Sequence, residues 1–127
     1  MGDSIVRIDR DGDQPPLGIA TFDGPIDPRR IAAIIAELGS ERMSRIEALI
    51  LDLEQVRYLH SLGMSALVNL ADRLNAKGGA LHLAAPQPKV KLILEMMGLD
   101  EWFRIHGSIA AALRAIRSPR RVPARSR

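Results

Sequence analysis

Residues 48–53 (ALILDL) form a short run of consecutive apolar side chains that is interrupted only by Asp52. Such a run, without a polar residue at every second position, is typical of a strand buried on both faces. Strands of this kind occur mainly in parallel sheets that carry helices on both sides. The run therefore predicts an α/β fold built around a central, mainly parallel sheet.

The first predicted helix lies before this strand. Asp27 is a suitable N-cap, because its carboxylate can accept from the free N–H groups of a first turn, and Pro28 suits the first helical position. Gly39 ends the pattern. Between them the apolar residues recur at the spacing of one helix face: Ile31, Ile34, Ile35 and Leu38.

A second helix is predicted after the buried strand. Ser61 is its expected N-cap, and the pair Gly78-Gly79 is its expected end. Apolar residues follow one another at intervals of three or four: Leu59, Leu62, Ala66, Leu70 and Leu74.

The remaining segments continue the alternation of strand and helix. In the predicted strand at residues 80–84, His82 points to the face opposite Leu81 and Leu83. Pro88 opens a third helix that ends at Gly98, and its predicted apolar stripe is Val90, Ile93, Leu94 and Met97.

The last predicted elements are a short edge strand at residues 102–105 and a fourth helix capped by Ser108. Residues 4–8 and 17–22 are expected to form a hairpin or two adjacent strands. The whole order predicts a mixed, mainly parallel sheet of four to five strands packed with about four α-helices. The junctions near Asp27 and Ser61 then lie at the carboxyl ends of strands, where ligands and partners dock in open α/β sheets.

The charge divides the chain into two parts. Residues 1–113 contain 12 of the 18 basic residues and all 15 acidic residues, whereas residues 114–127 contain six arginines and no acidic residue. We therefore predict one folded domain at residues 1–117 and a basic, disordered tail at residues 118–127. The tail is expected to be solvated rather than to bind a specific nucleic acid.

Composition argues against several classes of function. The chain has no cysteine, so it contains neither a disulfide nor a thiolate metal site, and its three histidines show no metal-ligand spacing. None of the short motifs of nucleotide binding, metalloprotease or hydrolase chemistry occurs, so a catalytic site is not predicted. No apolar run reaches the length of a membrane span and no signal peptide is recognised, which makes a cytoplasmic location the expectation.

Five short motifs in a fixed order resemble those of the STAS (anti-sigma-factor antagonist) family. They begin with the Gly-Pro-Ile-Asp of residues 24–27 and the Leu-Asp-Leu of residues 51–53. They continue with the turn around Ser61 and Gly63, the Gly-Gly pair at residues 78–79 and the Met-Gly-Leu-Asp of residues 97–100. The resemblance extends over roughly residues 5–117 and identifies the chain as a member of the family.

The resemblance implies a bacterial regulatory module that binds an anti-sigma factor with a kinase fold. In such proteins the partner phosphorylates a Ser or Thr just before the motif glycine, which switches binding off. Here Leu62 occupies that position and His60 occupies the position of a preceding aspartate. The resemblance therefore implies a docking surface without the usual phospho-switch.

The predicted partner-binding residues are Asp27, Tyr58, His60, Ser61, Leu62, Gly63 and Met64. Several have two interpretations: Ser61 as an N-cap or a displaced phosphoacceptor, His60 as a loop residue or a pH-responsive group, and Leu62 as a core or docking residue. Asp27 likewise serves as a cap, a contact, or both. No cofactor and no metal is predicted, and a homodimer is left open.

Two other functions of the same domain stay open. One is a STAS scaffold subunit of a signalling assembly that is never phosphorylated. The other is a cytoplasmic accessory subunit of an ABC-type lipid transporter, although that subgroup usually retains the residues that His60 and Leu62 replace.

Overall fold

The computed structural model describes residues 6–10 and 14–117, apart from the side chain of Arg42. Its five strands are β1 (Val6–Asp9), β2 (Leu17–Thr21), β3 (Ala48–Asp52), β4 (Ala80–Ala84) and β5 (Arg104–His106). Its four α-helices are α1 (Pro28–Leu38), α2 (Ser61–Ala76), α3 (Pro88–Met96) and α4 (Ile109–Arg117), and short 3-10 helices occupy Glu41–Met43 and Leu99–Glu101. The predicted tail at residues 118–127 lies outside the described residues.

The strands form one mixed sheet in the order β1-β2-β3-β4-β5. β1 pairs antiparallel with β2, and every later neighbour pairs in parallel. The predicted fold class is therefore confirmed. The edge strand begins two residues later than predicted, at Arg104, because Leu99–Glu101 and Trp102 complete a helical turn before it.

The central strand β3 is buried on both faces, as its unbroken apolar pattern predicts. Helices α1, α2 and α3 cover one face, where Leu49 and Leu51 of β3 contact a core that includes Ile34 and Leu70. Helix α4 covers the other face, where Ala112 packs near Ile50. Each face of the sheet therefore has its own apolar core.

Two of the predicted helix starts are confirmed by their hydrogen bonds. The Asp27 carboxylate accepts from the Arg29 N–H at 2.8 Å, and the Ser108 hydroxyl accepts from the Ala111 N–H at 3.0 Å. The predicted start of α2 is wrong by one residue. His60 has the extended backbone of an N-cap and its carbonyl accepts from the Met64 N–H at 2.9 Å, so Ser61 is the first helical residue rather than the cap.

Candidate functional site

The loops after β2 and β3 leave the same edge of the sheet, because these two strands are parallel neighbours. The Phe22 N–H donates to the Asp52 carbonyl oxygen at 3.2 Å just beyond the strands, which holds the two loops side by side. One loop continues to Asp27 and α1, and the other continues through Tyr58 to α2. The arrangement places the predicted site residues at the carboxyl edge of the sheet.

Gly63 brings the two loops into direct contact. It is buried in the first turn of α2, and a Cβ atom at this position would lie 3.0 Å from the Ile26 carbonyl oxygen. The absence of a side chain at residue 63 therefore allows the backbone before Asp27 to pack against the helix start. Sequence reasoning placed Gly63 among the contact residues, whereas the structure gives it a packing role between them.

The exposed side chains at the start of α2 are mainly apolar and aromatic. Leu62 is 70% exposed and Tyr58 is 49% exposed. The ring of His60 meets that of Tyr58 edge-on, with 4.5 Å between the ring centroids. Ser61 is exposed, and Met64 is half-buried against the core.

The exposure of Leu62 corrects the predicted apolar stripe of α2. The residues of the helix that face the core are Gly63, Leu67, Leu70, Ala71 and Leu74. Leu62 precedes Gly63 by one position, which turns its side chain by about 100° away from this face. Of the two interpretations of Leu62, the structure therefore excludes the core residue.

A shallow apolar groove of about 380 Å³ lies beside the start of α2. Ser61, Met64 and Val68 line it from α2, and Met97 and Leu99 line it from the chain after α3. Sequence analysis assigned Met97 to the buried stripe of α3, but its side chain is 59% exposed because α3 ends at Met96. The pair Met96-Met97 was the available signal, since adjacent methionines often form adaptable binding surfaces.

The site offers contact chemistry rather than a cluster of reactive groups. Within residues 6–10 and 14–117, no three His, Asp or Glu side chains come together as a metal site would require. Over the same residues, no helix combines the length and apolar character needed to cross a bilayer. Asp27 lies beside these residues with its side chain 40% exposed, and its Oδ1 atom is 3.9 Å from Nε of Arg29.

Two curated relatives share sequence with the chain. An Anti-sigma-F factor antagonist, RsfB of Mycobacterium tuberculosis, is 25% identical over 108 residues, which cover 85% of this chain and 88% of RsfB. A Thermotoga maritima protein, provisionally named an anti-sigma factor antagonist, is 28% identical over 65 residues. That match covers 51% of this chain and 58% of the relative, so it spans less than two thirds of the Thermotoga protein.

The fold is also found in a solved structure. The anti-sigma factor antagonist SpoIIAA of Bacillus, in its unphosphorylated form, superimposes with a TM-score of 0.68 at 17% identity. The superposition covers 91% of this chain and 99% of SpoIIAA. Residues 8–112 match the STAS domain family, and the chain belongs to that family.

Proposed function

We propose that this chain is a regulatory binding module of the anti-sigma factor antagonist type. Its partner would be an anti-sigma factor, or another regulatory protein with a kinase-like fold. The names of its sequence relatives support this class of function, and RsfB is matched over most of both chains. The docking surface we assign is called the α2 N-terminal surface. It consists of Asp27, Tyr58, His60, Ser61, Leu62 and Met64, and Gly63 is buried beneath it.

The observation that carries this assignment is the exposure of Leu62 in the first turn of α2. Burying a leucine side chain against a partner contributes roughly 2 kcal/mol of transfer free energy. Tyr58 adds an aromatic ring of the kind that is enriched at protein interfaces. Leu62 and Tyr58 thus supply apolar contact, and Asp27 supplies a charge at the edge of the surface.

We further propose that the partner does not switch this surface off by phosphorylation at position 62. Leucine has no hydroxyl group to accept a phosphoryl group. Binding would then be constitutive and controlled by the amounts of the two proteins. A relative with Ser or Thr at this position would be regulated differently, because a phosphate of charge about −2 on that residue can disrupt partner binding.

The test compares three tagged variants with the wild-type chain as baits in the native lysate. Leu62→Asp places a charge in the centre of the surface. Asp27→Asn removes a charge but retains a residue that caps helices equally well. Leu92→Asp is the matched control, because Leu92 is a 54% exposed leucine on α3, outside the α2 N-terminal surface.

We expect the wild-type chain and Leu92→Asp to retain the same kinase-fold protein, identified by mass spectrometry. Leu62→Asp should weaken its binding at least about 100-fold in calorimetry with the purified partner, which corresponds to about 2.7 kcal/mol. Equal binding by Leu62→Asp would place the interface elsewhere. Capture of an ABC-type ATPase, or only of other STAS subunits, would support one of the two alternative functions instead.

A further inference from the structure

A second concave surface lies on the α4 side of the sheet, at the amino ends of β3 and β4. It encloses about 820 Å³ and is called the α4 groove. Its lining includes Glu47, Ala48, His82, Arg104, His106 and Ile116. The α2 N-terminal surface lies at the opposite, carboxyl edge of the sheet, so the two surfaces are separate.

His82 is the unusual residue of this groove. Among the described residues it is the one polar or charged side chain that is buried, at 6% exposure. Its Nδ1 atom lies 3.0 Å from Nε2 of His106 on the neighbouring strand, and the two rings stack at 25° with centroids 5.2 Å apart. One of these two nitrogens donates a hydrogen to the other.

Both imidazoles retain a ring nitrogen beyond this bond. His82 Nε2 and His106 Nδ1 make no further hydrogen bond with the described residues. Arg104 is paired with His82 in the β4–β5 register, so its side chain leaves the same face of the sheet. Its guanidinium forms no ion pair within the described part of the chain, although Glu47 lines the same groove.

We propose that the α4 groove binds a small phosphate-bearing molecule, with the phosphate held by Arg104 and by the free ring N–H of the His82–His106 pair. The guanidinium fork of arginine matches the oxygen geometry of phosphate. With both rings neutral, one of the two remaining imidazole nitrogens carries a hydrogen and offers one more donor. A phosphate, with three terminal oxygens, can accept from the guanidinium fork through two of them and from the imidazole N–H through the third, whereas a carboxylate has only two oxygens. The groove has the volume of a small-molecule site, so it also accommodates the organic part of a phosphate monoester.

The electrostatics of the groove support an anion beside Arg104. Burial, the neighbouring His106 and the Arg104 charge, in that order, lower the pKa of His82 to about 4. Burial and Arg104 also lower the pKa of His106. A bound phosphate would offset the charge of Arg104 and make protonation of one ring of the pair less unfavourable, whereas Glu47 disfavours a second anionic group on the other side.

The experiment is a titration of the full-length chain with inorganic phosphate, followed by NMR of the histidine rings at constant ionic strength. His82 and His106 should shift together and saturate, with a Kd of about 1 mM or lower. His60 is an internal control, since it lies at the α2 N-terminal surface. Glycerol 3-phosphate should bind at least as tightly, and acetate should produce no saturable shift.

Two exposed arginines provide matched variants. Arg104→Gln should weaken phosphate binding at least about tenfold, because the remaining donor, one imidazole N–H, is uncharged at neutral pH. Arg29→Gln removes the same charge from an exposed residue at the start of α1 and should leave the Kd unchanged. The proposal is overturned by a non-saturating response, by equal shifts at His60, by equal binding of acetate, or by unchanged binding in Arg104→Gln.

Discussion

Gly63 in the first turn of α2 lies so close to Ile26 that a Cβ at residue 63 would be 3.0 Å from the Ile26 carbonyl oxygen. The same Cβ would be 3.3 Å from a methyl group of Leu59. Two loops that are separate in sequence thus meet at one residue that has no side chain. A substitution at Gly63 should therefore change both the stability of the protein and the shape of the α2 N-terminal surface.

We predict that Gly63→Ala destabilises the protein by about 1 kcal/mol. Alanine favours a helix over glycine by about 1 kcal/mol, but crowding against a backbone oxygen costs typically 1–3 kcal/mol. Urea denaturation measures the difference. Gly39→Ala is the control, because its Cβ would meet its nearest neighbour, the Ala36 carbonyl oxygen, at an ordinary 3.6 Å. Stabilisation by Gly63→Ala would show that the Ile26 loop moves aside freely.

We predict a larger effect for Gly79→Ala, at the turn between α2 and β4. A Cβ at residue 79 would overlap the carbonyl group of Glu47, whose oxygen accepts from the Ala80 N–H at 2.9 Å. Since the backbone of residue 79 fixes the position of the Cβ and the group that it meets is backbone too, the cost should exceed about 3 kcal/mol or prevent folding. Thermal unfolding should show no comparable loss for Gly107→Ala, where the added Cβ meets nothing within 4 Å. A folded Gly79→Ala of near wild-type stability would contradict the close approach.

The sequence predicted the framework of the fold because its signals are local. The apolar run around Leu51 indicates a buried strand whatever its neighbours are, and Asp27 followed by Pro28 starts a helix by local hydrogen bonding and geometry. The family motifs around Ser61 and Gly63 then located the candidate site. Each of these inferences depends on residues within one or two turns of each other.

The face of α2 that packs against the core could not be predicted in the same way. Leu59, Leu62 and Ala66 satisfy helical spacing as well as Leu59, Gly63 and Leu67 do, and a glycine contributes nothing to an apolar pattern. The second alternative is the one found: Gly63 packs against Ile26, and Leu67 is fully buried in the core, both through contacts between distant segments. Leu62 is exposed as a result.

The histidine pair was missed for a related reason. Sequence periodicity placed His82 on the correct face of β4, but its contact with His106 depends on the register between β4 and β5. That register places His82 opposite Arg104 and places His106 opposite Ala84. A spacing of 24 residues contains no information about such pairing.

We predict that His82 makes the protein less stable in acid. Its pKa falls from the usual 6.5 to about 4 on folding, so between these pH values the unfolded chain binds a proton at this residue that the folded chain does not. The free energy of unfolding therefore has its full value above about pH 6.5 and decreases as the pH falls. The decrease ends near pH 4, where His82 becomes protonated in the folded state as well. The full shift corresponds to roughly 3 kcal/mol, and partial screening of the ring by solvent reduces the expected loss to on the order of 2 kcal/mol.

His82→Gln tests whether His82 causes this loss of stability in acid, because glutamine can still hydrogen-bond to His106 but does not titrate. Chemical denaturation in phosphate-free buffers should show a shallower loss of stability between pH 6.5 and pH 4.5 than in the wild-type chain. A second variant, His60→Gln, should follow the wild-type curve, since His60 is exposed. Parallel curves for the wild-type chain and His82→Gln would show that burial does not hold this imidazole neutral.

The last prediction concerns the proposed kinase-fold partner: incubated with ATP, it should leave the wild-type chain unmodified. Leu62 lacks a hydroxyl group, and Ser61 precedes it by one helical position, which directs its side chain about 100° away. Leu62→Ser is the positive control, because it places a hydroxyl at the position where the family resemblance implies a phosphoacceptor. Intact-protein mass spectrometry should show an addition of about 80 Da, one phosphoryl group, on Leu62→Ser and none on the wild-type chain. A stoichiometric phosphate mapped to Ser61 of the wild-type chain would mean that the acceptor is displaced by one residue, and that the switch is retained.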